Sequence, residues 1–436
     1  MILTGLFQRS GKARIAAVLK DLQQLCIRLL SEAGTANSAS IAAEAVAAYS
    51  KLAPESRLAF FEFLDRTLAP DSESVLRAAK AYAEQPDAEH VLELQRVVEP
   101  PRQELLRRLN RAPGGTAAII AMRRDLLKAL REEPRLRAVD SDFSHLLGSW
   151  FNPGFLDLQQ VDWGSPAALL EKIIDHEAVH AITDWTDLRR RLQPDRRCFA
   201  FFHPQLPGEP LIFVEVALLY AIPRSIEQLI RVPATKESAV PPRVAAFYSI
   251  SNCEPGLRGV SLGNFLIKRV AQELQAEMPM LKRFCTLSPI PGLRAWLGAV
   301  DTDALPDTWP AKLRSRLSST VKALRAHYGD DLEGLADAAG NRSLTADDQA
   351  RLALCAAVYL ARVSVTPQGD PVARFHLDNG ARLERVNVGA DLSAKGLRES
   401  FGVMVNYLYD LGSIEANHER FMRGEVVSSR EIGGMT

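Results

Sequence analysis

The sequence lacks the charge imbalance that a nucleic-acid-binding protein requires. Its 436 residues contain 53 Lys and Arg against 53 Asp and Glu, so the formal net charge is zero. A protein that neutralises backbone phosphates needs a basic excess on at least one face. We therefore expect no nucleic-acid partner. The basic runs 189–191 and 196–197 are more typical of solvated helix surfaces and linkers. Neutrality of the whole chain still permits a local pocket for a phosphorylated ligand.

Cysteine is also scarce, and long apolar runs are missing. The five cysteines are odd in number, widely scattered and without a C-x-x-C pair. This pattern argues against a disulfide framework or a zinc knuckle and fits a reducing compartment. No stretch approaches the roughly 20 uncharged residues of a membrane span. The first residues show no charged leader or apolar signal segment. These absences predict a cytoplasmic protein with no membrane partner.

The length of the chain favours two domains over a single core. Residues from about 12 to 190 read almost wholly as helix, because apolar side chains such as Leu58, Phe61 and Leu64 recur at three- and four-residue spacing. Proline and glycine separate these stripes into helices of ordinary length. The pattern predicts an all-α helical bundle over residues 1–190. We expect this domain to act as a scaffold or as the oligomerisation domain of a homo-oligomer.

Near residue 195 the pattern changes to short apolar runs. Strands are predicted over 198–202, 211–218, 244–250 and 284–287. Helices are predicted over about 263–278 and within 310–363. Two further strand-like runs, 372–377 and 382–388, flank Asp378-Asn379-Gly380, which indicates a hairpin. The sequence therefore predicts an α/β domain over residues 191–436 with at least one strand-turn-helix unit, and an α+β fold overall.

His176-Glu177-Ala178-Val179-His180 matches the H-E-x-x-H motif of zinc peptidases. The preceding residues are helical in pattern, so both histidines would share one helix face. A catalytic zinc needs a third protein ligand. Glu209 or Glu215 could serve, but the former lies in a Pro/Gly-rich loop and the latter in an apolar strand. We therefore interpret the motif as a chance match and expect no metal.

A glycine-containing turn, Gly256-Leu-Arg-Gly-Val-Ser-Leu-Gly263, lies between a predicted strand and a predicted helix. Successive backbone N–H groups of such a turn, together with the helix N-terminus, can bind a pyrophosphate. The turn resembles the CoA-binding signature of GNAT acyltransferases, (Arg or Gln)-Gly-x-Gly-x-(Gly or Ala), with Ser261 in place of the middle glycine. It matches neither the dinucleotide-binding fingerprint nor the P-loop.

Several blocks around this turn, taken together, resemble the malonyl-CoA decarboxylase family. They are Phe202-His-Pro, Glu209-Pro-Leu, Phe247-Tyr-Ser-Ile-Ser251, residues 256–270, Leu287-Ser-Pro-Ile-Pro-Gly292, Pro371-Val-Ala-Arg-Phe-His-Leu-Asp-Asn-Gly-Ala381 and Ser400-Phe-Gly-Val-Met-Val-Asn-Tyr-Leu-Tyr409. They occur in the family's order and cover most of residues 195–410. The resemblance implies an N-terminal helical domain followed by a C-terminal GNAT-like acyl-CoA-binding domain.

The resemblance also implies roles for individual residues. Ser288 and His376 would be the catalytic pair, and no metal or organic cofactor would be needed. Ser249 would lie near the malonyl group, with Asn406 and Tyr407, read as part of a helix, as further substrate-binding residues. The CoA-binding loop would comprise Arg258, Gly259, Val260, Ser261, Leu262, Gly263 and Asn264. The family often carries glutamate where this chain has Ser261, so Ser261 is left out of the catalytic set.

The expected chemistry is conversion of malonyl-CoA to acetyl-CoA and CO2. Loss of CO2 leaves a thioester enolate, which is stabilised by hydrogen-bond donors placed where its negative charge develops. Ser288 would bind the carboxylate or the thioester oxygen, and His376 would supply or relay a proton to the α-carbon. A GNAT-type N-acyltransferase and a non-catalytic CoA-binding protein remain alternatives, and so does methylmalonyl-CoA as substrate, since one methyl group discriminates weakly.

Overall fold

A computed structural model describes residues 2–31, 35–230, 241–260 and 266–436 of the chain. The chain forms two compact units. The first comprises Met1–Asp157, Phe202–Glu209 and Glu254–Leu262. The second comprises Leu158–Phe201, Pro210–Cys253 and Gly263–Thr436. None of the helices within the described ranges has the length and apolar character needed to cross a membrane.

The first unit is helical, as the apolar stripes predict. Its helices are α1 (Ile2–Ser31), α2 (Thr35–Ser50), α3 (Pro54–Arg66), α4 (Ser72–Glu84), α5 (Ala88–Val98), α6 (Pro101–Asn110), α7 (Gly115–Ala129) and α8 (Arg137–Trp150). Side chains at helical spacing, such as Phe61 and Leu64 on α3 and Leu105 and Leu109 on α6, are at most 1% exposed and form its core. Residues Asp157–Val161, predicted from the sequence to be helical, form strand β1 instead, and β1 pairs with the strand that follows.

The second unit contains a mixed sheet of eight strands among the described residues. After β1 these are β2 (Arg196–Phe202), β3 (Pro210–Leu219), β4 (Val244–Asn252), β5 (Arg283–Thr286), β6 (Ser288–Pro289), β7 (Arg382–Asn387) and β8 (Met404–Tyr409). The strand order is β1-β2-β3-β4-β5-β8-β6, and β7 pairs with β8. Strands β4 and β5 are parallel, whereas β8 is antiparallel to β5, β6 and β7.

The second unit also contains the following helices, given in chain order. They are α9 (Ala167–His176), α10 (Trp185–Arg191), α11 (Glu227–Ile230), α12 (Leu266–Glu277), α13 (Leu293–Ala299), α14 (Ala311–Tyr328), α15 (Glu333–Gly340), α16 (Ala346–Val358), α17 (Pro371–Asp378), α18 (Ala394–Ser400), α19 (Ile414–Met422) and α20 (Arg430–Gly433). The parallel strands β4 and β5 are joined through α12, which confirms the predicted strand-turn-helix unit. The α+β class is confirmed as well.

Three local predictions in this unit are wrong. The run 372–377 is helix α17 and not a strand, so Asn379-Gly380 ends a helix and no hairpin forms. Asp370 caps α17, because its carboxylate accepts the N–H groups of Val372 and Ala373 at 2.9 and 3.0 Å, and proline follows at the first helical position. The segment of Asn406 and Tyr407 is strand β8 and not a helix. With β5 and β6 along one of its edges and β7 along the other, β8 is an almost continuous apolar run.

The third wrong prediction is that the H-E-x-x-H segment continues the helix before it, with both histidines on one helix face. Helix α9 ends at His176, and Glu177 has extended backbone angles of φ −65° and ψ 109°. The two histidines therefore do not lie one turn apart on a helix face. Within the described ranges, no group of three or more His, Cys, Asp or Glu side chains is placed to bind a metal ion. Glu215, considered as a third ligand, is buried and pairs with Arg191 at 2.9 Å.

Candidate active site

A cavity of about 260 Å³ lies within the second unit, at the point where β4 and β5 separate. The parallel pairing of these strands stops at Phe247 and Thr286, yet β4 continues to Asn252. The edge of β4 beyond Phe247 therefore has no β5 partner, and this stretch forms one wall. Other walls come from β6 and α17. The lining residues are Val179, Ile212, Phe247, Tyr248, Ser249, Ile250, Asn252, Leu266, Ser288, Pro289, Pro371, Val372, Phe375 and His376.

The two residues predicted to be catalytic meet at this cavity. Ser288 begins β6, and His376 lies in the last turn of α17, 88 positions further along the chain. Ser288 Oγ and His376 Nε2 are 3.0 Å apart, and both side chains are buried. Ser288 Oγ also donates a hydrogen bond to Thr286 Oγ1 at 2.8 Å. A hydroxyl has one hydrogen, so the contact with His376 requires the hydrogen on Nε2.

His376 is held on its other side by tyrosines from β8. Its Nδ1 lies 2.8 Å from the hydroxyl of Tyr409. Its ring stacks on Tyr407, with ring centroids 4.6 Å apart and an interplanar angle of 28°. Burial lowers the pKa of His376 to about 3, so the imidazole is neutral at physiological pH. A neutral imidazole carries one N–H, and the bond from Nε2 to Ser288 leaves Nδ1 to accept from Tyr409.

Burial also holds the pKa of Tyr409 well above its usual value, so this hydroxyl keeps the hydrogen that it donates. The result is a directed chain of three hydrogen bonds: Tyr409 to His376, His376 to Ser288, and Ser288 to Thr286. Each donor in this chain is neutral. The arrangement presents a serine hydroxyl, backed by an imidazole N–H, to the cavity.

Asp370 holds the two catalytic segments in register. The carboxylate that caps α17 also accepts the N–H of Gly292 at 2.9 Å, four residues beyond Ser288. It therefore joins the helix that carries His376 to the loop that carries Ser288. Burial raises the pKa of Asp370, and its backbone hydrogen bonds oppose that effect.

The three predicted substrate-binding residues lie at different depths. Ser249 lines the cavity, and its hydroxyl donates to Glu177 at 2.6 Å. Asn406 is fully buried, where its side chain binds the carbonyl groups of Thr286 and Pro223 and accepts from Arg385 and Asn387. Tyr407 is fully buried against His376. In the described chain neither Asn406 nor Tyr407 is among the cavity-lining residues. Both contact the site indirectly, Asn406 through Thr286 and Tyr407 through His376.

Part of the predicted CoA-binding loop can be placed. Arg258, Gly259 and Val260 follow a short 3-10 turn in the first unit, and Gly259 has a positive φ of 79°, which favours glycine. Gly256 lies against helix α7, where a Cβ would clash with the carbonyl oxygen of Ile120. Arg123 donates to the Gly256 carbonyl at 2.8 Å. Ser261, Leu262, Gly263 and Asn264 lie outside the described residues.

Comparison with known proteins places this chain in a family. Residues 154–435 match the malonyl-CoA decarboxylase C-terminal domain, and residues 68–151 match the malonyl-CoA decarboxylase N-terminal domain. The chain belongs to the malonyl-CoA decarboxylase family. The mitochondrial malonyl-CoA decarboxylase of Mus musculus is 37% identical over 339 residues, covering 75% of this chain and 69% of the mouse protein.

Solved structures of the malonyl-CoA decarboxylase family extend the likeness to nearly the whole chain. The malonyl-CoA decarboxylase of Rhodopseudomonas palustris superposes with a TM-score of 0.80 at 43% identity, covering 95% of this chain and 98% of that structure. That of Agrobacterium vitis gives the same TM-score and identity, covering 95% and 99%.

Four residues of the site were not identified as functional from the sequence. Tyr409 was given no role of its own, although alternation along a strand places it on the same side of β8 as Tyr407. Asp370 directly before Pro371 is a recognisable helix start, which the strand interpretation concealed. Thr286 lies only two residues before Ser288, a spacing that puts two side chains on the same side of an extended chain. Glu177 was weighed only within the zinc motif, because its partner Ser249 lies 72 positions further along the chain.

Proposed function

We propose that this chain converts malonyl-CoA to acetyl-CoA and CO2 at the cavity between β4, β6 and α17, with Ser288 and His376 as its catalytic residues. The observation that carries the proposal is the 3.0 Å contact between Ser288 Oγ and His376 Nε2 at the cavity wall. Membership of the malonyl-CoA decarboxylase family supports the substrate.

The stretch of β4 that β5 does not cover offers a binding surface for the extended arm of CoA. Backbone N–H and C=O groups on an exposed strand edge bind a ligand that carries amide groups, as they would bind another strand. Pantetheine has two such amides. Residues Tyr248–Asn252 of β4 supply this edge, and all but Ser251 line the cavity. Arg258 to Asn264 are proposed to bind the pyrophosphate, with Ser249, Asn406 and Tyr407 contributing to substrate binding directly or through their neighbours.

The reaction needs a place for the electron pair and a source for one proton. Cleavage of the bond to the carboxylate releases CO2 and leaves its electron pair on the thioester as an enolate. The Ser288 hydroxyl turns from Thr286 to the thioester oxygen, where the negative charge develops. Ser288 then delivers its proton to the α-carbon, and the His376 N–H replaces that proton. A proton from solvent restores His376, so each turnover consumes one proton. A neutral histidine with a lowered pKa can serve as such a donor.

Incubation of the purified protein with malonyl-CoA alone tests the proposal. Acetyl-CoA and CO2 should form in equal amounts without an added acceptor, metal or cofactor. Replacement of Ser288 or His376 with alanine should lower kcat at least 100-fold, the contribution of positioned acid–base groups, while the Kd for CoA changes little. CoA binding without CO2 release would favour a non-catalytic protein, and acyl transfer to an amine would favour an acyltransferase. Parallel assays with methylmalonyl-CoA measure the selectivity.

The helical domain is proposed to act as a scaffold through which the chain forms a homo-oligomer. Apolar side chains of α4 and α5 support this role, because Leu76 and Leu92 are 55% and 63% exposed. Light scattering after size exclusion, with Leu92→Lys as the variant, tests it: an unchanged mass would argue against this surface. A cytoplasmic location is proposed on the ground that all five cysteines are buried free thiols.

A further inference from the structure

The H-E-x-x-H segment contributes a carboxylate to the back of the cavity wall. After α9 ends, the Glu177 side chain turns inward and is 8% exposed. Its Oε1 accepts the backbone N–H groups of Val179 and His180 at 2.9 and 2.7 Å. Its Oε2 accepts the hydroxyl of Ser249 at 2.6 Å and that of Ser251 at 3.2 Å. One carboxylate thus joins this segment to strand β4.

The segment is fixed by other contacts too. Lys395 Nζ donates to the carbonyl of Ala178 at 2.8 Å, and Arg191 donates to the carbonyl of His180 at 2.8 Å. The N–H of Ala178 binds Ser251 Oγ at 3.2 Å. Glu177 therefore has little freedom to follow Ser249 if the hydroxyl turns towards a ligand.

The direction of the Ser249 O–H bond determines whether Ser249 can donate a hydrogen bond to a ligand or only accept one. Ser249 has a single hydrogen, and the bond to Glu177 takes it. The remaining lone pairs of Oγ accept from an N–H group and repel an anion, and the negative charge of Glu177 directly behind them adds to the repulsion. An acyl-CoA ligand offers both kinds of group: amide N–H along the pantetheine arm and a carboxylate at the malonyl end.

We propose that Glu177 is a positioning residue that fixes Ser249 as a hydrogen-bond acceptor for an amide N–H of the CoA arm, which directs the malonyl carboxylate away from Ser249. The proposal rests on the proposed function for its ligand. It revises the role of Ser249, which was expected to lie near the malonyl group.

Glu177→Gln is the decisive variant, because it keeps the size and shape of the side chain and replaces the acceptor that faces Ser249 with a hydrogen-bond donor. The two backbone N–H groups require the amide oxygen, so the NH2 group faces Ser249, which must then accept from it. The Ser249 hydrogen is released and no longer held away from the cavity. Loss of one hydrogen bond is expected to raise the Kd for CoA and for acetyl-CoA about 3- to 10-fold. The KM for malonyl-CoA should rise by the same factor with kcat changed less than about twofold, since the arm is common to all three ligands.

A double-mutant cycle shows whether Glu177 acts through Ser249. Ser249→Ala should give the same increase in Kd, and the double variant should be no worse than Ser249→Ala alone. Lys395→Met is the matched control, because it loosens the same segment from its exposed side and leaves the Glu177–Ser249 bond in place. Its Kd for CoA should match that of the native protein, and thermal melting reports whether each variant is folded.

Two results would overturn the proposal. If the increase in the Kd for CoA in the double variant equals the product of the two single-variant increases, Glu177 does not act through Ser249. In Ser249→Ala, a Kd increase for malonyl-CoA alone, with CoA and acetyl-CoA unaffected, would place the carboxylate at Ser249. The CoA measurements do not depend on turnover. A native protein that binds CoA but releases no CO2 would therefore refute the proposed function and leave the role of Glu177 testable.

Discussion

Replacing Tyr409 with phenylalanine removes a single hydroxyl group from the chain of hydrogen bonds behind Ser288. Tyr409 Oη lies 2.8 Å from His376 Nδ1, and the two side chains are 2% and 3% exposed. Phenylalanine keeps the aromatic ring, whose edge-to-face contact with His376 has a centroid distance of 6.2 Å. The substitution therefore tests the hydrogen bond with little change in packing.

The expected effect follows from burial. Without the hydroxyl, Nδ1 loses its donor in a site that water does not readily fill, and such a loss costs about 1–3 kcal/mol. The imidazole hydrogen is also no longer confined to Nε2, so Ser288 loses its donor in part of the molecules. If this cost falls on the transition state, kcat decreases about 5- to 150-fold. The KM should change little, because Tyr409 does not line the described cavity.

Initial rates of acetyl-CoA formation from malonyl-CoA measure this effect. Tyr328→Phe is the matched control, since it also removes a hydroxyl that donates at 2.8 Å, here to Asp348, outside the catalytic chain. The control should retain the native kcat. A folded Tyr409→Phe protein with native kcat would show that Tyr409 does not orient His376, and the proposed relay would then be wrong.

Three further predictions concern pH, the helix cap and the glycine turn. Because burial lowers the pKa of His376 to about 3, the imidazole stays neutral between pH 5 and pH 8. A pH profile of kcat/KM should therefore show no histidine inflection near pH 6.5. A decrease in kcat/KM as the pH rises through 6.5 would indicate that a protonated imidazole is the acid. Asp370→Ala removes the cap of α17 and the hydrogen bond to Gly292. It should reduce the free energy of unfolding in urea by about 1–3 kcal/mol and lower kcat. An unchanged kcat would contradict the role of Asp370 in holding Ser288 and His376 together. Gly256→Ala should cost about 1–3 kcal/mol in the same unfolding assay through its clash with Ile120, and native stability would disprove that contact.

Features that depend on neighbouring residues could be predicted from the sequence. The helical first unit, strands β2 to β5 and the β4-turn-α12 unit follow from periodicity over contiguous residues. The order of short motifs identified the family and singled out Ser288 and His376. Local pattern failed where a segment was too short to distinguish the two periods. The run Val-Ala-Arg-Phe-His-Leu alternates like a strand, but the cap at Asp370 and the following proline begin a helix.

The contacts among the residues of the site could not be predicted from the sequence, because they join distant parts of the chain. Ser288 and His376 touch across 88 positions, and Glu177 reaches Ser249 across 72. No local pattern encodes such contacts, because they exist only once β4, β6, β8 and α17 are packed. The same holds for the protonation state of His376. Its lowered pKa is a property of burial, and burial belongs to the folded chain rather than to the histidine.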